Sequence, residues 1–219
     1  MLTLTFELDQ RDERHTEGDK ARMKLLMSNI QTASRVAVGQ LPAWFLPDYE
    51  VEFEPQPFAR GPCGSVHRGV LHSDTPVVVK CFDAPDMRID SRTARLLENE
   101  METLVQMDNP NVVKMLGTCH VSTPPFLVCE DAINDDMGSY VSVSGDSKQQ
   151  RWKLLHQAAL GLAYIHSKGI VHGHLKLSNI LVGADGQAKL SDFGLKTMRY
   201  ISKTSTASSV PYVGAPPSV

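Results

Sequence analysis

The sequence predicts an α+β protein of two lobes, and three observations carry that prediction. Short β-branched and aromatic runs fill residues 51–82 and 112–130, with one helical stretch, 91–107, between them. From Glu130 onward the pattern turns helical, and RWKLLHQAALGLAYIHSKG (151–169) is a long apolar-faced helix closed by Gly169. The 219 residues are 42% hydrophobic, enough to bury one sizeable core or two small ones.

Residues 1–50 read as a separate extension. Leu2, Leu4, Phe6 and Leu8 alternate with other residues, which predicts a short strand. Asp9 to Asp19 is a charged connector. From Lys20 to Val38, Met23, Leu26, Ile30, Ala33 and Ala37 recur at helical spacing and predict an amphipathic helix. LPAWFLP (41–47) ends it, and its Trp44 and Phe45 are expected to dock on the next domain.

VEFEPQPFARG (51–61), SVHRGVL (65–71) and TPVVVKCF (75–82) then read as strands separated by turns. In the helix 91–107, Ser91 is the expected N-cap and Leu97, Met101 and Leu104 the buried stripe. Asn109-Pro110-Asn111 stops it, and VVKMLG and PFLVCE supply two more strands.

Composition excludes several classes. With 22 basic and 25 acidic residues, net charge −3 and a pI of about 6.2, no electrostatic footprint for nucleic acid or an anionic membrane is present. Cys63, Cys81, Cys119 and Cys129 lack zinc-knuckle spacing, and free thiols in a reducing, cytoplasmic compartment are expected. The N-terminus lacks the pattern of a signal peptide, and no apolar run is long enough to span a bilayer.

Four stretches carry chemistry. ARGPCGSV (59–66) places two glycines between strands, where backbone amides can approach phosphate oxygens; from these residues alone a plain glycine hairpin is the commoner explanation. VVVK (77–80) ends an apolar strand on Lys80, either an edge lysine or the partner of an inward acid. Glu100 shares a helix face with Leu104 and is that acid, with Glu98 and Glu102 on the outer face. Asn179 of HGHLKLSN and Asp192 of SDFG follow apolar segments and offer hard oxygen ligands that suit Mg²⁺ held against phosphates.

In this order and spacing, residues 51–219 resemble the protein kinase family, and within it the tyrosine-kinase-like group of Ser/Thr kinases. ARGPCGSV resembles the glycine loop with Ala59 for its first glycine, VVVK the lysine strand, and GLAYIHSKGIVHGHLKLSNILV with AKLSDFG the catalytic and metal-binding segments. The resemblance implies a bilobal fold, with an upper lobe at 51–130 and a partial lower lobe at 131–219. It implies ATP with Mg²⁺ as cofactors and a protein substrate or partner. Lys80, Glu100, Lys176 and position 174 become the catalytic set, and Asn179 and Asp192 the metal ligands. Gly61, Gly64, Val66, Val78, Lys80, Cys129, Glu130, Ala132 and Leu181 become the nucleotide contacts, with Cys129 the residue just before the connector between the lobes. Leu104, Met115, His172 and Phe193 fall on the family's buried stack, which makes His172 a packed histidine. A zinc site from His166, His172 and His174 has no cysteine or carboxylate at close spacing.

The departures matter as much. His174 stands where the family has the Asp that accepts and orients the substrate hydroxyl. Losing that base implies transfer reduced by about 10²- to 10⁴-fold. Gly173 replaces an Arg that meets an activation-segment phosphate, Cys63 an aromatic at the glycine-loop tip, and Val78 an Ala against the adenine ring. The two extra methyls of Val78 imply about 1 kcal/mol of crowding. KTMRYISKTSTASSVPYVGAPPSV resembles an activation segment, with possible phosphorylation at 202–209, and the substrate-platform helices do not follow it. Either a piece of a longer protein or a product that leans on a partner is implied, with apolar surface left on the helix 151–168. Three readings stay open: a nucleotide-binding kinase-like domain with impaired transfer, a non-enzymatic interaction module or relic without nucleotide, and an active Ser/Thr kinase.

Overall fold

The computed structural model describes residues 1–35, 40–61, 64–82, 91–144 and 147–195. The expectations for Ala37, Cys63 and the segment 196–219, and for the side chains of Ser91 and Leu97, lie outside the described residues.

The chain opens with α1 (Leu2–Gln10) and α2 (Glu17–Ser34). The strand expected over residues 2–8 is a helix. Alternation also sets Leu2 and Phe6 four residues apart, on one helical face. Phe6 is buried edge-on against Phe45, with ring centroids 6.2 Å apart. Helix α2 starts earlier than expected because Thr16 caps it, its hydroxyl accepting the Asp19 N–H at 3.2 Å. The expected helix is present, and none of its residues is buried, Leu26 being 48% exposed. The helix is real, but within the described residues its neighbour is α1, so the apolar stripe has no core to enter.

Residues 44–46 dock as expected of the Trp-Phe pair. Leu46 N–H donates to the Thr118 carbonyl at 3.0 Å and Thr118 N–H to the Trp44 carbonyl at 2.9 Å. Trp44 is 2% exposed and meets the His120 ring edge-on at 5.3 Å. A β-carbon on Gly117 would lie 3.1 Å from both Leu46 Cβ and the Trp44 carbonyl, so glycine permits this approach.

The upper lobe is one antiparallel sheet of β1 (Val51–Phe53), β2 (Ala59–Gly61), β3 (Gly64–Leu71), β4 (Thr75–Phe82), β5 (Met115–Cys119) and β6 (Phe126–Glu130). Strands β1 and β2 both pair with β3; from it the order runs β4, β6, β5. Register places Val66, Lys80 and Leu127 side by side, and likewise Arg68, Val78 and Cys129. Those six share one face of the sheet. Val77, Val79 and Cys81 take the other, which is fully buried. Helix α3 (Ser91–Val105) lies against β5, with Met101 and Leu104 buried.

The lower lobe holds α4 (Met137–Ser144), α5 (Lys148–Ser167) and the hairpin β7 (Ile180–Val182) and β8 (Ala188–Leu190). Leu154, Ala158, Gly161 and Ile165 form the buried stripe of α5, which packs on β8. Trp152, Leu155 and Leu160 on its other side are exposed. Gly169, at φ +74°, turns the chain out of α5. Asn111 joins the lobes: its amide donates to the Ala188 carbonyl and its own carbonyl accepts Leu190 N–H, each at 2.9 Å.

Candidate functional site

The site lies where the β4–β6 face meets the end of β8. Lys80 sits mid-sheet, facing the same way as Leu127 and Cys129, because side chains opposed across antiparallel strands share a face. Its ammonium pairs with the carboxylate of Asp192, which follows β8 after one residue. Asp192 adopts a left-handed backbone at φ +61°, a conformation that Asp tolerates better than most residues. Gly194, at φ +69°, follows; a β-carbon there would lie 2.8 Å from a Leu104 methyl. The expected acid Glu100 is half-buried on α3.

Leu104, Met115, His172 and Phe193 are all buried. His172 meets Phe193 edge-on at 6.3 Å, and its Nδ1 accepts the His174 backbone N–H at 3.3 Å. It is therefore a packing and hydrogen-bonding residue. Among the described residues no group of three or more His, Cys, Asp and Glu is placed to hold a metal, so zinc at His166, His172 and His174 has no support.

Asn179 is 4% exposed on a 3-10 turn entering β7. Its amide nitrogen donates to the His174 carbonyl at 2.9 Å and lies 3.2 Å from His174 Nδ1. Its own carbonyl accepts the Ser191 N–H at 2.9 Å, which fixes Asn179 beside the residue preceding Asp192. With the nitrogen engaged, the amide oxygen is left as the ligand atom. His174 and Lys176 are exposed on the loop between His172 and Asn179, where Gly173 takes φ +69°.

A cavity of about 20 Å³ opens between the lobes, bounded by Lys80, Met115, Leu127, Cys129, Asp192 and Phe193. Burial pushes the Cys129 thiol up to about 11, so Cys129 is a neutral apolar wall there. Val66, Val78 and Leu181 are half-buried and Ala132 is 8% exposed. The Glu130 carboxylate accepts the Lys114 N–H at 2.8 Å and the Lys189 ammonium at 2.9 and 3.1 Å. Gly61 pairs with Gly64, and a side chain at Gly64 (φ +147°) would strike the Cys81 carbonyl at 1.9 Å. That glycine is required by the sheet itself, whatever binds above it.

The structure thus brings Lys80 to Asp192 and Asn179 to His174. Sequence reasoning missed Lys189, and also the pair of Arg68 with Asp131 at 3.1 Å. Lys189 lies 59 positions from Glu130, and its one sequence signal is a cation inside an apolar strand.

A family model described as protein tyrosine and serine/threonine kinase matches residues 55–216. The chain belongs to this family, and the antiparallel upper sheet, α3 and the helical lower lobe are the corresponding fold. The probable serine/threonine-protein kinase PBL28 of Arabidopsis thaliana is 32% identical over 144 residues, covering 62% of this chain and 38% of that protein. Tyrosine-protein kinase Fer of Homo sapiens is 33% identical over 141 residues, covering 62% and 16%. An inactive leucine-rich repeat receptor-like serine/threonine-protein kinase of Arabidopsis thaliana is 32% identical over 161 residues, covering 68% and 24%. The chain spans well under half the length of these relatives. Protein phosphorylation is the family's general activity, and ATP with Mg²⁺ its usual cofactors. No helix among the described residues is long and apolar enough to cross a membrane.

Proposed function

We propose that this chain binds ATP with Mg²⁺ in the cleft between its lobes and transfers phosphate to protein Ser or Thr hydroxyls weakly or not at all. The observation that carries the reading is the convergence of Lys80, Asp192 and the oriented amide of Asn179 at one edge of an apolar cleft. The residues fit the cofactors. Asn179 and Asp192 would offer two hard oxygens for Mg²⁺, Lys80 a cation for phosphate, and Val66, Val78, Ala132 and Leu181 apolar side chains for a purine. When bound, Mg²⁺ would offset the charge of the phosphates. The chain's own residues position: Lys80 is held by its partner carboxylate, and Asn179 by two backbone bonds.

His174 weakens the transfer half of the reading. An exposed imidazole replaces the carboxylate that would orient a hydroxyl, and Gly173 replaces the neighbouring Arg, while Lys80, Glu100, Lys176, Asn179 and Asp192 are kept. The similarity to a kinase named inactive fits this, and the LKLSN spacing favours Ser/Thr over Tyr as the hydroxyl. Binding without efficient turnover is the behaviour of a scaffold or allosteric partner in cytoplasmic signalling, with another protein as its target.

The test is a thermal melt with and without Mg²⁺·ATP. Ligand at 100 times its Kd adds about 2.7 kcal/mol to stability, which raises Tm by several degrees. The shift is expected in the unmodified chain and absent in Lys80→Met. A melt indifferent to nucleotide in both chains would sink the reading and leave an interaction module without nucleotide.

A further inference from the structure

We infer that Arg68 and Asp131 form a strap across the outer end of the cleft, an autoinhibitory contact that nucleotide must displace to enter. This rests on the nucleotide reading above and names a control on that same site.

The argument starts from register. Arg68 on β3 stands opposite Val78 on β4, and Val78 stands opposite Cys129 on β6. The three share the sheet face that Lys80 and Leu127 also occupy, the face turned to the cleft. Asp131 comes directly after β6, between Glu130 and Ala132. Strands β3 and β6 flank β4 and do not touch, so they stand about 10 Å apart. Yet Arg68 donates to an Asp131 carboxylate oxygen at 3.1 Å. The two side chains close that gap only by meeting over β4, beside Val78.

A second contact holds the guanidinium in place. It lies 4.9 Å from the centroid of the Phe58 ring, and Phe58 N–H donates to the Val66 carbonyl at 3.0 Å. A planar guanidinium can stack on a ring and still direct its N–H groups at a carboxylate. The strap therefore runs from Phe58 beside Val66, past Val78, to the connector between Glu130 and Ala132. Those four neighbours, Val66, Val78, Glu130 and Ala132, are residues expected around the purine. The Asp131 side chain is only 14% exposed, and that of Arg68 is 44% exposed, so the carboxylate is tucked in beneath a cation that still meets water.

The open space behind the strap agrees. The cavity of about 20 Å³ has room for water and not for a base. Its lining runs from Lys80 and Asp192 to Cys129 and does not reach Val66, Val78, Ala132 or Leu181. Space is left at the phosphate end, while the surface proposed for the purine is the one the guanidinium crosses. A flat base against Val78 and a guanidinium beside Val78 compete for one place. The competition is winnable, because an ion pair half in solvent is weak. A pair that favours the closed arrangement about fivefold leaves about one chain in six open, which raises the apparent Kd about sixfold above that of the open chain.

The test is calorimetric titration of Mg²⁺·ATP into the full chain, Arg68→Ala, Asp131→Asn and the double variant, with a melt of each without nucleotide. Both single variants should bind about fivefold more tightly than the unmodified chain, although their unliganded Tm should be slightly lower. The double variant should bind no more tightly than either, since one contact is removed in all three. Raising the ionic strength should draw the Kd of the unmodified chain toward that of the variants, because the exposed pair is screened. A contact that merely braced the fold would lower Tm and weaken binding together. Equal or weaker binding in either single variant, with the unmodified chain still binding, overturns the strap and leaves the nucleotide reading intact. Binding seen only in the variants supports both. If no chain of the four binds Mg²⁺·ATP, the nucleotide reading fails and the strap with it.

Discussion

Glu50 carries the sharpest electrostatic decision outside the cleft. Its carboxylate side chain is 4% exposed, receives two 2.9 Å bonds from Arg11, and lies 3.4 Å from His72. The Arg11 guanidinium holds the Glu50 carboxyl below the usual carboxylate range, against the opposing effect of burial. A depressed folded pKa binds fewer protons than the unfolded chain, so the stabilisation is complete above the unfolded value, about 4.3, and is lost as pH falls through the folded one. Arg11→Ala leaves a buried carboxylate with weaker partners and should cost about 2 kcal/mol at pH 7. The deficit should shrink toward pH 3 as the orphaned carboxylate protonates, and denaturant melts at both pH values check it. An equal deficit at both would mean that Arg11 acts by packing, through its guanidinium 5.7 Å above the Phe6 ring.

At the scale of elements, α5 shows where one atom decides packing. A β-carbon on Gly161 would lie 2.2 Å from the Asn111 carbonyl, backbone that is itself bonded to Leu190 N–H. Neither partner can move without pulling α5 off β8. Gly161→Ala should therefore cost about 3 kcal/mol, although alanine is the better helix former elsewhere. A neutral or higher Tm would show that α5 and the 111 loop slide. The same comparison explains what was legible. Strands β3, β4 and β6 and helix α5 announce themselves because burial imposes a period on their residues, and the order of motifs points to the family. The N-terminal extension misled because in α1 a period of two concealed a pair spaced by four. Pairing partners far apart in sequence, such as Asp192 for Lys80 or Lys189 for Glu130, are set by where strands end, which no local pattern records.

Across the whole molecule, the ties between the lobes among the described residues include Lys80 to Asp192, Asn111 with Val113 to β8, and Glu130 to Lys189. The third is the most separable. Asn111 and Val113 work through backbone bonds together with the Asn111 side-chain amide, and Lys80 is also the cation proposed to meet the phosphates. Lys189 works through its ammonium alone, 16% exposed, against a carboxylate that is 30% exposed. A pair so placed contributes about 1 kcal/mol after partial screening. Its larger effect is on position, because Glu130 ends β6 where the purine edge would lie and also receives the Lys114 N–H. Lys189→Met keeps the stem packed and removes the charge. The unliganded Tm should fall by only a few degrees, while the Kd for Mg²⁺·ATP should rise severalfold as the connector loosens. Glu130→Gln should act through the same tie, so the double variant should weaken nucleotide binding little more than either single change. Additive losses would show that Lys189 and Glu130 act independently, and that the lobes are set by the Asn111 crossing instead.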